Sequence, residues 1–411
     1  MTDLGEGWRV VDGLTTAWFD ARSLTEGAAL AARVTQVAPG AAVDVRASGV
    51  RVRLASDEEA AGLAQAVSDE ARALGLVADP TVLQVLNVVL ESPDPSALRP
   101  FWRSALGDVA EAGDRLVDPV LRDPAFVVRA SGEVRPLRNR IHVDVVRPSD
   151  AVEHAGLGEA SGPYGVCHAD ADGNEVDLVP GGPLDESDEP ADATSDWHAV
   201  FGAVACYRVT SSDQQRDLAS AAAALADAAG FPLLVDLRPG LVVLDTGKDQ
   251  WDAEAHGLDV DVVTLAARLQ NAAREAGATP DPGLPRFVQF LIDAADVAAL
   301  RAFWAAALGY VPDRRAATTD LVDPRRLNAV VLFQELDASE TERRRQRNRI
   351  LLELAVPADR APARVEAIIA AGGRVVEESD ARWRLADPEG NELEVVAGWA
   401  GPRRSARTGA R

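Results

Sequence analysis

Apolar and charged residues alternate along AAVDVRASGVRVRLAS (41–56), and this period of two predicts two half-buried antiparallel strands joined by a turn. The flanking segments EGAALAARVTQVA (26–38) and DEEAAGLAQAVSDEARALG (57–75) place Ala, Leu and Val at helical spacing, so each carries one apolar stripe. With a further strand in TTAWFDARS (15–23), the elements add up to an α+β sandwich. The pattern then changes. LQVLNVVL (83–90) reads as a nearly continuous apolar strand, followed by a turn at an Asp and an amphipathic helix with Phe101 and Trp102 on its buried face.

The whole pattern is written twice. Openings at Trp8 to Gly13 and Trp197 to Gly202 each lead into a strand and an Ala-rich helix. LESPDPSALRPFWRSALG (90–107) returns as IDAADVAALRAFWAAALG (292–309), RLVDP at Arg115 as DLVDP at Asp320, and RNRIHVDVV (138–146) as RNRILLELA (347–355). DADGNEVDLV (170–179) returns as ADPEGNELEVV (386–396). Fixed order with a slowly growing offset marks a tandem duplication with loop insertions. Gly, Pro and acidic residues in 181–194 predict a linker between the copies. The expected parts are 1–80, 81–180, the linker, 195–280, 281–398 and a flexible tail at 399–411. Between RNRI and GN, copy one is about eight residues shorter than copy two and its helical pattern is weak. On this reading its cleft collapses, and copy two holds the better binding site.

Composition narrows the function. With 47% apolar and 26% charged residues the chain reads as globular, and its net charge of −23 argues against a nucleic-acid backbone as partner. Lys248 is the sole lysine, which removes most options for Schiff-base chemistry. Cys167 and Cys206 are too far apart in sequence to suggest a zinc knuckle or a disulfide framework, which fits a reducing cytoplasm. No signal-like segment and no apolar run long enough to span a membrane is visible, so neither export nor a membrane partner is expected.

The first part of each copy, about 4–78 and 195–278, resembles pterin-4a-carbinolamine dehydratases through GWRVVDG, the helix after it and the VDVRxxGVRVRL hairpin. That resemblance implies His-His-Pro before the hairpin and a further His after it. Here the positions read Val37-Ala38-Pro39 and Asp57 in copy one, and Gly230-Phe231-Pro232 with Thr246 or Gly247 in copy two. Without imidazole these positions have no group that exchanges a proton near neutral pH. His198 and His256 stand elsewhere and read as surface or structural residues.

The second part, about 83–180 and 286–398, resembles the glyoxalase-like branch of the vicinal-oxygen-chelate (VOC) superfamily. The residues that carry the likeness are the PDPSALRPFWRSALG helix, FQE at 333–335, RNRIHVDV and DxxGNExxxV. The fold class implied is α+β, a tandem duplication in which each copy is a dehydratase-like α/β sandwich followed by a VOC-type βαβββ domain. Metal-using relatives place ligands on the first, fourth, fifth and eighth strands. Carried over, these are Asn87, Ala130, His142 and Asp177 in copy one, and Gln289, Glu335, Leu351 and Glu394 in copy two. Neither set is complete, so no cofactor is firmly implied and a divalent metal is an option. The missing ligands are complementary, however, and pairing halves of the two copies would bring His142 and Asp177 to Gln289 and Glu335. The plainer alternative makes His142 and Asp144, or Leu351 and Glu353, cleft-lining neighbours on one strand face. Gln334, Glu335, Arg349, Glu353, Arg140, His142 and Asp144 are the expected ligand-binding residues.

The leading expectation is thus a protein that binds a small organic molecule in a VOC-type cleft, with dehydratase-like domains as structural partners. The alternatives are a divergent 4a-hydroxytetrahydrobiopterin dehydratase, a metal-dependent VOC lyase, isomerase or dioxygenase, or an inactive scaffold. Either a homodimer or pairing of the two VOC domains within the chain would complete the clefts.

Overall fold

The structure, a computed structural model, describes residues 4–107, 109–184, 192–252, 255, 257 and 260–398. Residues 185–191 of the expected linker, the expected tail and His256 lie outside the described residues.

The first parts of the two copies build one sheet. Trp8–Val11, Leu14–Asp20, Gly49–Ala55 and Ala42–Arg46 pair in that order. Ala42–Arg46 then pairs antiparallel with Leu234–Arg238 of copy two, Asp44 standing opposite Asp236. Leu241–Asp245, Gly202–Arg208 and His198–Val200 complete the ladder. Helices Leu24–Val37, Ala60–Ala73, Ser212–Ala229 and Val262–Glu275 share one core with the inner face of this sheet, where Val43, Val45, Val50, Val235, Leu237 and Leu244 lie. Ser23 and Ser211 cap the first and third of these helices, and the Asp227 carboxylate accepts the Leu24 and Thr25 N–H groups across the copy boundary.

The charged face of this sheet corrects the half-buried expectation. Asp44, Arg46, Arg51, Arg53, Asp236, Arg238 and Asp245 are all buried. Asp44 pairs with Arg51 (2.6 Å), Arg238 (2.5 Å) and Arg53 (3.2 Å), while Asp236 pairs with Arg46 (2.7 Å) and Arg122 (2.9 Å). Their cover comes from the two VDP turns of the second parts. Arg53 and Arg238 donate to the Leu121 carbonyl, Arg46 donates to the Arg326 carbonyl, and Arg122 also pairs with Asp245. Alternation therefore predicted the side of each residue correctly, but charge there signals a second layer of protein rather than water.

The second parts exchange halves. Val85–Ser92 and Phe126–Ala130 of copy one, with the short strands Ala110–Ala112 and Arg115–Val117, join Ile350–Val356, Glu392–Ala397, Arg382–Ala386 and Arg374–Ser379 of copy two in one eight-stranded sheet. A second group of strands, continuous with the shared sheet where Gly182 and Pro183 pair with Ala199 and His198, combines Ile141–Pro148, Glu175–Pro183 and Cys167–Ala169 of copy one with Phe287–Ala294, Val330–Glu335, Leu321–Val322 and Val311–Pro312 of copy two. The seam in each is an antiparallel pair that crosses the copies, Leu351 opposite Val89 and His142 opposite Leu291. Trp102 and Trp304, fully buried on helices Pro95–Leu106 and Val297–Leu308, donate to Asp170 and Asp387 and tie together the two halves of the second part of their own copies. Copy one has only Ser149–Glu153 where copy two has Ala361–Ala370, which accounts for its shorter segment.

The repeated RNRI and GN motifs lock this exchange. Asn174 Oδ1 accepts from Asn139 Nδ2 (2.8 Å) and from Arg349 Nε of the other copy (3.1 Å), while its Nδ2 donates to Asp170 (2.8 Å). Asn348 and Asn391 repeat the pairing, and the Asn348 side chain accepts the Arg140 N–H across the copies. Asn174 and Asn391 are fully buried, so these turns are inter-copy fasteners as well as tight bends. Asn174→Ala strands several buried polar groups and should cost about 2–3 kcal/mol in urea unfolding. A loss within a few tenths of a kcal/mol would contradict this role.

Candidate functional site

Two clefts result, and they differ in chemistry. In the sheet carrying Ile141–Pro148, Asp144 stands opposite Gln289 and level with Asp177, and His142 lies two residues along on the same face. Ligand-type atoms of His142, Asp144 and Asp177 lie within 4.8 Å of one another. His142 Nε2 is 3.5 Å from Asp144 Oδ1. Gln289 Nε2 donates to Asp144 Oδ2 at 2.7 Å. Burial raises the Asp144 carboxyl above its ordinary value against the opposing pull of His142 and Gln289.

Leu291 opposite His142 and Leu332 level with Leu291 give the face an apolar wall. One end is closed where Val146 and Val179 pack against Val204, Cys206, Leu241 and Val243 on the outer face of the shared sheet. Lys248 Nζ, held 2.6 Å from Asp320 and 5.8 Å from the centroid of the Phe201 ring, also attracts the Asp144 charge. Cys167 stands opposite Asp177, but burial and the charges of Glu175 and Asp177 push its thiol up to about 11, so it is not a thiolate at neutral pH.

The geometry suits a divalent cation. Asp144 Oδ1 and Gln289 Oε1 are buried acceptors that receive no hydrogen bond among the described groups, His142 Nε2 standing only at ion-pair distance from the first. Two orphaned oxygens beside an imidazole and a second carboxylate form a mixed nitrogen and oxygen donor set, which a hard or borderline ion satisfies. Buried acceptors that receive no hydrogen bond are otherwise costly.

The other cleft is occupied by the chain's own cations. Glu353, opposite Asn87, and Glu394, level with Glu353, share its face. Glu394 binds Arg129 (2.9 Å), Arg384 (2.6 Å) and Arg382, and Glu353 binds Arg382 (2.9 Å) and Arg129 (3.5 Å). Arg384 and Arg135 both reach Glu91 at 2.7 Å. Burial pushes the Glu394 carboxyl up, but these guanidiniums override it and hold it below its ordinary value. A carboxylate already compensated threefold has little left to offer a metal, which corrects the expectation that copy two holds the better site. Alternation in RWRLA and ELEVV already put Arg382, Arg384, Glu392 and Glu394 on shared faces, so the signal for this ion cluster was present in the sequence.

Other expected residues are placed as follows. Glu335 is level with Ala294, five residues beyond the Gln289 row, roughly 16 Å along the strand, and it is exposed. Its parity is that of the buried Val331 and Phe333, as Ala130 shares that of Phe126 and Val128, so neither shares the cleft-facing parity of Gln289 or Asn87. Gln334, exposed, donates to Asp293. Arg140 donates to the Glu389 and Gln346 carbonyls, and Arg349 to Asn174 and to the carbonyls of Gly173, Arg135 and Leu137. Both arginines thus serve the copy seam. Of the dehydratase-type positions, Asp57 accepts the Glu59 N–H at the start of a helix, and Gly230, Pro232, Thr246 and Gly247 line a cavity of about 520 Å³ outside both clefts.

Residues 87–179 and 289–396 each match the glyoxalase-like domain family. Both regions are glyoxalase-like. Glyoxalase I from Zea mays aligns over 76% of this chain and 93% of its own, at 10% identity and a TM-score of 0.37. A glyoxalase/bleomycin resistance protein/dioxygenase family enzyme from Burkholderia phytofirmans covers 26% of this chain and 95% of its own, at 16% identity and a TM-score of 0.21. No curated protein matches the chain. The family match stops short of the first part of each copy, where the dehydratase resemblance rests on the motifs given above. Among the described residues no helix is long and apolar enough to cross a membrane. Each glyoxalase-like region is contiguous in sequence, yet each cleft takes one half from each region.

Proposed function

We propose that the cleft formed by His142, Asp144, Asp177 and Gln289 binds one divalent cation and, beside it, a small oxygen-bearing organic molecule. The observation that carries this reading is the pair of buried oxygens that receive no hydrogen bond, Asp144 Oδ1 and Gln289 Oε1, next to His142 and Asp177. Both copies contribute, so one complete site per chain is expected. When bound, the cation would supply Lewis-acid polarisation of a ligand oxygen. The chain's own residues do the rest: Gln289 fixes the Asp144 rotamer through its amide, Leu291 and Leu332 offer apolar contact, and Lys248 adds a nearby positive charge. The dehydratase reading has less support, because no imidazole stands at its expected positions.

The test is calorimetric titration of the metal-stripped full chain with Mn²⁺, Ni²⁺ and Zn²⁺. One site is expected, with affinity weakened roughly 10–100-fold or more by Asp144→Asn or His142→Ala, the range seen when metal-site groups are removed. Glu335→Gln, at an exposed position, should leave it unchanged. Equal loss in all three variants, or no saturable site in the parent, would overturn the reading.

A further inference from the structure

The cavity of about 520 Å³ lies away from the cation cluster, between the shared sheet and the Val311–Pro312 and Leu321–Val322 strands. In a chain with 65 acidic and 42 basic residues, its described lining includes Arg46, Arg314, Arg325 and Arg326 and no carboxylate. Arg46 is committed to Asp236, but the half-buried guanidinium of Arg326 has no hydrogen-bond or ion-pair partner among the described residues. Arg325 stacks 5.3 Å from the centroid of the Trp18 ring, which leaves its nitrogen edge free to donate. Gln250 is 4% exposed, and its Nε2 in the same lining is a buried donor without an acceptor. Here the unmet need is for acceptors and negative charge, the reverse of the cation cleft.

The duplication supplies an internal control. The turn Asp118-Pro119-Val120-Leu121 recurs as Asp323-Pro324-Arg325-Arg326, with Leu121 at φ 53° and Arg326 at φ 54°. In both, the Asp side chain accepts backbone N–H groups two and four residues on. The turn is made equally well by two apolar residues, so backbone geometry does not call for the arginines. Burial in addition depresses the Arg326 guanidinium from its ordinary value although the charges of Asp313 and Asp323 oppose it, and a desolvated cation that donates no hydrogen bond is costly to keep. The cavity reaches solvent past the exposed Ser48, Val311 and Pro324, and its volume is within the usual range for small-molecule sites.

We infer that this cavity is a second binding site, for a small organic anion whose phosphate or carboxylate oxygens accept hydrogen bonds from Arg325, Arg326 and Gln250. It is independent of the cation site. Its test is titration of the metal-stripped full chain with inorganic phosphate, pyrophosphate and citrate at constant ionic strength. At least one probe should bind once per chain with a dissociation constant below about 1 mM. Arg326→Gln should weaken that binding about tenfold or more, as expected for losing a charge-assisted donor. Ser48→Glu, on an exposed hairpin turn where folding is not at risk, places a negative charge at the mouth and should weaken it likewise. His142→Ala should leave it unchanged, which separates failure here from failure of the cation reading. Absence of saturable binding by all three probes, or binding that survives both Arg326→Gln and Ser48→Glu, would overturn the inference.

Discussion

Asp44→Ala is expected to lower the unfolding free energy by about 3–5 kcal/mol, because it strips a fully buried carboxylate from cations that remain buried. Arg51, Arg53 and Arg238 all converge on Asp44, and directly opposite it Asp236 performs the same service for Arg46 and Arg122. The acid limb of the stability profile should change as well. Burial alone would raise the Asp44 carboxyl, but Arg238, Arg51 and Arg53 override it and hold it well below its ordinary value. Asp236 is also lowered, where the charges of Arg46, Arg238 and Arg122 outweigh burial and the neighbouring Asp44. For carboxyls depressed in the folded state, the stabilisation is complete above the unfolded value near pH ~4 and is lost as pH falls through the folded values. The difference in urea midpoint between the parent and Asp44→Ala should therefore be constant from pH 7 down to about pH 4 and shrink below it. In Asp44→Ala the curve should start lower and fall less. A variant as stable as the parent at neutral pH would mean that the layer is not held by these charges.

Cutting the chain between the copies should have the other large effect. A fragment ending near residue 184 leaves four strands without their cross-copy partners: Ala42–Arg46, Val85–Ser92, Ile141–Pro148 and the end of Glu175–Pro183. It also exposes apolar residues on the helix faces that pack across the copy boundary in shared cores. Unpaired edges with apolar flanks self-associate. Expressed alone, each half should aggregate or form a self-paired dimer, whereas co-expression should give a one-to-one complex that elutes with the intact chain. Size-exclusion chromatography with light scattering distinguishes these outcomes, and a monomeric, cooperatively unfolding half would contradict the exchanged architecture. The complex should regain the cation site, since Gln289 comes from one half and His142, Asp144 and Asp177 from the other.

Much of this architecture was legible in the linear chain. Repeated motifs located the duplication, alternation put His142 and Asp144 on one face, and the spacing of Phe101-Trp102 and Phe303-Trp304 marked two buried helices. These are local signals, because side-chain direction along a strand or helix follows from backbone period alone. The cross-copy grouping of His142, Asp177 and Gln289 was also among the arrangements the sequence suggested. The fourth member was misplaced: FQE pointed to Glu335, while the register puts Leu332 in the row of Leu291 and His142. A strand read one residue out of step presents the opposite face, and no local pattern fixes the register of strands far apart in sequence.

What the sequence determined by itself is the set of elements, their inner and outer faces, and the doubling. Only the tertiary structure decided which edge meets which. The ladder hydrogen bonds are made by backbone groups that are the same in both copies, so pairing within a copy and pairing across copies look alike in a linear reading. The same long-range choice decided the chemistry of the clefts. It placed Arg129 of copy one over Glu353 and Glu394 of copy two, closing one cleft with ion pairs, and left Asp144 Oδ1 and Gln289 Oε1 of the other without a hydrogen bond.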